Sequence, residues 1–460
     1  MEQLIVLCVA GLSPRHMNHL TPNIAGLARR GGARALRTVL PAVTCTMQSS
    51  ILTGLPPNCH GAVANGWYFR DLGEIHFWRQ SARLIAGERV WEEARRRDPS
   101  FTCANLFWWY AMHGTADISV TPRPMYLADG RKLPDIWASP PGLREELTTA
   151  IGEFPLFQFW GPATSIASSR WIASCALHVR RASAPTLTLV YLPHLDYDLQ
   201  RTGPDHPTVN AALHAIDGVC GELIADADRD GARVIVLSEY GIGAVDTPIH
   251  INRALREAGF LRVRKEVGGE HLDLASSSAF AVADHQIAHV YVQQPNLISD
   301  VAAVIAGLSG VERVAAPSEC PDWVLDHPRS GELIALAARN AWFTYYHWLD
   351  DNKAPDYART VDIHHKPGYD PVELFFDPAI STPKLSVGWR LARRALGLRV
   401  LMDVIPLDAR LVRGSHGRPA DDDADGAVII SSEPDLLPQR PIDATEVKAL
   451  MLDHMFPKTT

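Results

Sequence analysis

An α/β layered domain, with a central and mostly parallel sheet covered by helices on both faces, is what this chain predicts. Three observations carry the expectation. Short apolar runs recur at Leu4–Val9, 186–192, 232–237 and 427–430. They are continuous rather than alternating, as strands buried on both faces must be. Helical patterns such as 209–225 fill the intervals between them. The first run opens almost at the first residue, carries no basic leader and is far too short to span a bilayer, so it reads as a buried strand rather than a signal or anchor. Next, the strand-like stretch 37–43 leads into a helix that starts at Thr44 and stops near Gly54. Arg95, Arg96 and Arg97 read as the solvated face of a further helix. Two segments rich in proline and glycine, 122–141 and 414–426, read as loops, the second carrying the acidic run Asp421, Asp422 and Asp423. Between them, 246–341 has short strands of its own at 279–282 and 288–292 and a helical run at 298–308. This stretch is expected to form a smaller insert or cap on a core made of 1–245 and 342–460.

Bulk composition narrows the function classes. With 460 residues and 47% apolar content there is ample material for a buried core. The net charge of −8, with only 44 Lys and Arg, argues against a nucleic-acid polymer as partner, because backbone binding needs a basic face. Seven cysteines, scattered without C-x-x-C spacing, suggest neither a disulfide framework nor a cysteine zinc site. A reducing, cytoplasmic setting with no membrane partner is the matching expectation.

Thr44 is the most informative residue. At the mouth of a helix its hydroxyl would sit where free backbone N–H groups and the helix dipole favour an anion, and a phosphate is the natural guest. A hydroxyl is a poor nucleophile until a base or metal removes its proton. On local sequence alone Thr44 reads first as an N-cap and only second as a nucleophile, with Cys45 and Thr46 beside it as weaker rival nucleophiles.

The stretch from Thr44 to Gly61, with Leu52-Thr53-Gly54-Leu55-Pro56 and Cys59-His60-Gly61, resembles the nucleophile segment of nucleotide pyrophosphatases/phosphodiesterases (type I phosphodiesterases) in the alkaline phosphatase superfamily. The order of later motifs agrees: Thr21-Pro22-Asn23, the run from Asp196 to Pro204, Ser238-Glu239-Tyr240-Gly241, and Gly414-Ser415-His416-Gly417. The resemblance implies an alkaline-phosphatase-like fold, Thr44 as a nucleophile forming a covalent phospho-threonine intermediate, and Asn65 as a phosphate-binding asparagine. It also implies two zinc ions. For the first site it points to Asp196, Gln200 and His416, with glutamine where the family has histidine. For the second it points to Ala10, Thr44, Glu239 and Tyr240, where only Thr44 matches the family pattern. Glutamine and glutamate oxygens suit magnesium or manganese better than zinc, so one or two divalent ions are expected: zinc by resemblance, magnesium or manganese by donor type.

Other groups are candidate replacements for the missing ligands. His194, Asp196 and Asp198 would share a face if the strand end stayed extended. His364 and His365 form a second polar cluster, while His60 and His206 read as structural. The aromatic runs 107–110 and 342–346 read as core before they read as stacking platforms. The functional expectation is therefore a metal-dependent hydrolase of a small-molecule phosphoester, phosphodiester or pyrophosphate. Its rival is a catalytically impaired relative that binds a phosphorylated metabolite or partner. A sulfatase is the weaker alternative, since 44–47 lacks the C-x-P-S-R pattern.

Overall fold

A computed structural model of the chain describes residues 1–128 and 131–457. Its centre is a nine-stranded sheet. In chain order the strands are β1 (Leu4–Val9), β2 (Gly32–Arg37), β3 (Cys103–Leu106), β4 (Ile118–Pro122), β5 (Ile136–Ser139), β6 (Leu187–Leu192), β7 (Arg233–Leu237), β8 (Ala427–Ser431) and β9 (Ile442–Asp443). Across the sheet they run β9-β2-β8-β7-β1-β6-β3-β4-β5. The five strands from β7 to β4 are mutually parallel. β8 is antiparallel to both of its neighbours, and β5 closes the far edge antiparallel to β4.

β1, β6 and the last four residues of β7 are wholly buried, which is why their sequences read as unbroken apolar runs. The long helices Ile166–Ser183 and Val209–Asp230 pack on this sheet through residues such as Trp171, Ile172, Leu213 and Leu223. The expected fold class is the observed one, an alkaline-phosphatase-like α/β layer.

A second, four-stranded antiparallel sheet is built from Ala279–Asp284, Ile287–Val292, Leu333–Ala337 and Val311–Ala315, with a hydrophobic cluster of its own. Its first hairpin turns at His285 and Gln286, directly after Asp284, and that tip reaches the central site described below.

Two local readings need correction. The stretch 37–43 is not a strand: β2 ends at Arg37, and the chain crosses in irregular backbone to a single bridge at Ala42, whose N–H donates to the Gly417 carbonyl at 2.9 Å. Pro41 lacks the N–H that a continuing ladder would use. Nor does the chain stay extended after β6. It coils at once into the helix His194–Thr202, so residues two apart diverge and residues four apart align. His194 and Asp198 therefore do not join Asp196; Asp198 pairs instead with Arg201 at 2.8 Å.

Candidate active site

The registers of the sheet explain why distant segments meet. Val9 lies beside Leu192, and Cys8 beside both Tyr191 and Leu237, so Ala10, the start of the helix His194–Thr202, and Glu239-Tyr240 leave the sheet abreast. Ligands of open α/β sheets gather at these carboxyl ends.

Thr44 stands above them as the first residue of the helix Thr44–Thr53, with Val43 as its N-cap, so it does not act as a capping threonine. Gly54 ends that helix in the left-handed region at φ 71°, which a side chain would strain. The Thr44 hydroxyl lies 3.2 Å from the Tyr240 phenol, and that phenol donates to Asp196 Oδ1 at 3.2 Å. Since a phenol has one proton, the threonine is the donor in the first of these contacts. The other Asp196 oxygen accepts from Gln200 Nε2 at 2.6 Å, and Gln200 Oε1 accepts from the Tyr369 hydroxyl at 3.0 Å. Glu239 Oε1 accepts from Gln48 Nε2 at 2.6 Å, and Gln48 Oε1 accepts from the Trp109 N–H at 2.7 Å.

Asn65 supports the helix mouth. Its Oδ1 accepts from the Cys45 N–H at 2.9 Å, while its backbone N–H and side-chain Nδ2 both donate to Asp284, at 2.7 and 3.1 Å. Asp284 also meets His285 Nδ1 at 2.7 Å. His416 directs Nδ1 to the Ala42 carbonyl at 2.8 Å, stacks on Tyr240 with ring centres 3.5 Å apart, and leaves Nε2 3.8 Å from Asp196. On its far side lies His285, which in turn stacks on Tyr369.

Burial governs the electrostatics. Desolvation pushes Asp196 up to about 7, against the hydrogen bonds from Gln200 and Tyr240, and Glu239 up to about 8, against the one from Gln48. Asp284 rises to about 6 for the same reason, while burial holds His285 and His416 well below the ordinary imidazole range. The hydrogen-bond partners of Asp196, Glu239 and His416 are neutral side chains and a backbone carbonyl, while Asp284 meets the Asn65 amides and the His285 imidazole.

Every residue singled out in the sequence for the site, Thr44, Asn65, Asp196, Gln200, His416, Glu239 and Tyr240, stands in this one cluster. The donor set does not fit a pair of ions. Ala10 offers no ligand, and the Gln200 and Gln48 amides turn their N–H groups toward the two carboxylates that ions would bridge. The phenol of Tyr240 occupies the space between the Thr44 hydroxyl and Asp196. Among the described residues no group of three His, Cys, Asp or Glu side chains is arranged to hold a metal. One carboxylate and one imidazole, Asp196 and His416, remain, short of the three protein ligands of ordinary catalytic zinc.

The sequence reading missed Gln48, Asp284, His285 and Tyr369. Gln48 carried a usable signal, since four residues after Thr44 it must share that residue's helix face. The other three come from the hairpin and a remote loop, with nothing local to mark them. Of the remaining candidates, His60 is buried against Ser50 and the Ala62 N–H, His206 bonds locally to Thr208, and His365 is exposed beside Asp362. Phe107, Trp108 and Tyr110 are core residues, as are Trp342, Phe343, Tyr345 and Tyr346. Trp109 is half-buried beside Trp78, and Trp78 and Trp160 both contact Tyr369.

Comparison with known proteins agrees with this geometry. The profile of the type I phosphodiesterase / nucleotide pyrophosphatase family matches residues 4–370. An uncharacterised pyrophosphatase/phosphodiesterase of Schizosaccharomyces pombe is 25% identical over 251 residues, a match that covers 52% of this chain and less than half, 44%, of that relative. Among solved structures, phosphonoacetate hydrolase from Sinorhizobium meliloti with phosphonoformate superposes with a TM-score of 0.62 at 15% identity, covering 99% of this chain and 96% of that one. An inactive murine ectonucleotide pyrophosphatase / phosphodiesterase 5 with AMP gives 0.59 at 13% identity, covering 99% and 95%. With the profile spanning most of its length, the chain belongs to the type I phosphodiesterase / nucleotide pyrophosphatase family.

Proposed function

We propose that this chain hydrolyses a small-molecule phosphodiester or related phosphoester, with Thr44 as nucleophile and the Tyr240–Asp196 pair in place of two metal ions as the means of activating it. The observation that carries the reading is the hydrogen-bonded chain from the Thr44 hydroxyl through the Tyr240 phenol to Asp196. In the step, the Thr44 oxygen bonds to phosphorus as the ester oxygen departs. Its proton passes to the phenol oxygen while the phenol's own proton passes to Asp196, which then returns one to the leaving oxygen. Water repeats the transfer to free the product. An acid whose pKa lies near 7 is well matched to this duty at neutral pH.

The Thr44 and Thr46 N–H groups at the start of the helix Thr44–Thr53 and the second Nδ2 hydrogen of Asn65 would hold the phosphoryl oxygens, the Cys45 N–H being taken by Asn65 Oδ1. Without a cation among its partners, such a cradle favours a singly charged diester over a doubly charged monoester. Family membership supports the reaction class, and AMP in the murine relative and phosphonoformate in the bacterial one support a small phosphorylated or phosphonate substrate. The murine form described as inactive carries alanine in place of a threonine, which is consistent with an essential hydroxyl.

The test is rapid acid quench with bis(p-nitrophenyl) phosphate in chelator, followed by mass spectrometry of the peptide containing Thr44. A phosphoryl adduct that is absent from Thr44→Ala supports the reading. Turnover that persists in Thr44→Ala would sink it. The second reading, a protein that binds a phosphorylated metabolite without turning it over, is favoured by Ala10 and by Asp196, both of whose oxygens are taken by Gln200 and Tyr240. Saturable binding of a phosphonate analogue with no adduct and no product would select it.

A further inference from the structure

The segment from Pro383 to Met402 differs from the rest of the surface. Thirteen large apolar side chains are exposed among the described residues, and six of them fall here: Leu385, Trp389, Leu391, Leu396, Leu398 and Leu401. Leu385 is 72% exposed, Trp389 66% and Leu396 80%. The helix Pro383–Ala395 explains the pattern. Positions 385, 389, 392 and 396 are spaced by four, three and four, so they form one stripe along one side. The opposite side is tied down: Val387 packs against a hydrophobic cluster with Ile405 and Val412, and Arg390 pairs with Asp403 at 2.8 Å. The helix is therefore held on the protein with its apolar stripe turned outward.

Charge says what covers that stripe. Residues 378–402 contain Lys384, Arg390, Arg393, Arg394 and Arg399 and not one Asp or Glu, in a chain whose net charge is −8. On the helix wheel Lys384 and Arg393 flank the stripe on either side. A second copy docked through the same face would bring like charges together around a two-fold axis. An anionic leaflet instead takes both features at once, apolar side chains into the acyl boundary and basic heads among the headgroups. No described helix is long and apolar enough to cross a membrane, so the contact would be peripheral.

We propose that the helix Pro383–Ala395 and the apolar residues just after it form a docking element for a lipid surface rich in anionic phospholipid. This departs from the expectation of no membrane partner, and it stands independently of the reading of the active site.

The full chain is tested by co-sedimentation with vesicles of phosphatidylcholine alone and of phosphatidylcholine with phosphatidylglycerol. Binding is expected to the anionic vesicles, weakening by roughly five-fold for each basic residue neutralised. Raising the salt concentration should weaken it as well. The combined substitution Leu385→Ser, Trp389→Ser and Leu396→Ser should lower it at least ten-fold while phosphoester binding, circular dichroism and melting temperature stay unchanged. Brominated lipids should quench part of the tryptophan fluorescence, and Trp389→Phe should remove that part. Absence of binding to anionic vesicles overturns the proposal. So does self-association that the triple substitution abolishes, since it would assign the stripe to a second copy.

Discussion

The two halves of the candidate site differ in what satisfies them. On one side lie Thr44, the first turn of its helix and Asn65, braced by the hairpin tip at Asp284. On the other side lie Asp196, Gln200, Glu239 and Tyr240. Each carboxylate there is met by an amide or a phenol. The contrast shows what a buried carboxylate requires: Asp196 and Glu239 draw hydrogen-bond donors from glutamine and tyrosine side chains, because an unpaired buried charge is far more costly than a satisfied one.

The comparison can be broken at its strongest point first. Thr44→Ala should lower the turnover of diester substrates by at least about 1,000-fold, measured as kcat, because loss of a nucleophile has effects on that scale or larger. Tyr240→Phe should reduce kcat by about 100-fold with KM nearly unchanged, since it removes the proton path and leaves the anion cradle intact. If added zinc restored that variant, the division between the two halves would fail.

Restoring the family's ligands sharpens the same contrast. The combined change Ala10→Asp, Gln200→His, Glu239→Asp and Tyr240→His should bind zinc about 10–100-fold more tightly than the parent, read by metal analysis after gel filtration. A parent chain that already retains two ions per molecule would contradict the hydrogen-bonded account.

The smallest expected effect concerns the hairpin that braces Asn65. His289 is fully buried on that hairpin's second strand, bonded to the Val63 carbonyl at 3.0 Å and accepting from the Gly331 N–H. Desolvation lowers its pKa to about 4. The unfolded chain then takes up a proton at a higher pH than the native one does, so stability is lost as pH falls from about 6.5 toward 4 and is level above that window. His289→Gln should remove roughly 3 kcal/mol of this pH dependence in denaturant titrations at pH 7 and pH 4. An unchanged slope would mean that the imidazole is not held neutral.

How legible the site was depended on where each residue comes from. Leu4–Val9 declares itself a buried strand, because a run apolar on both faces has few other uses. Thr44 and Gly54 bracket a helix in plain view. Asp196 and Gln200 sit four apart, but that spacing has meaning only on a helix, and the extended reading of 194–198 hid it. Asp284 and His285 gave no sign at all. They matter because a hairpin some 220 residues after Asn65 folds back onto it, and nothing local in the chain encodes that contact.

The order of residues alone determined the layered fold, the family and the placing of the Thr44 hydroxyl at a helix start, since these follow from apolar periodicity and from short motifs read within a few turns of backbone. Only the tertiary structure decided how the substituted ligands behave. Whether a glutamine faces a carboxylate with its oxygen or its amide, whether a tyrosine fills the gap an ion would hold, and whether a basic helix turns its leucines inward or out are set by packing between segments far apart in the chain. Hydrogen-bond satisfaction and burial act on distances in space, and sequence separation does not specify them.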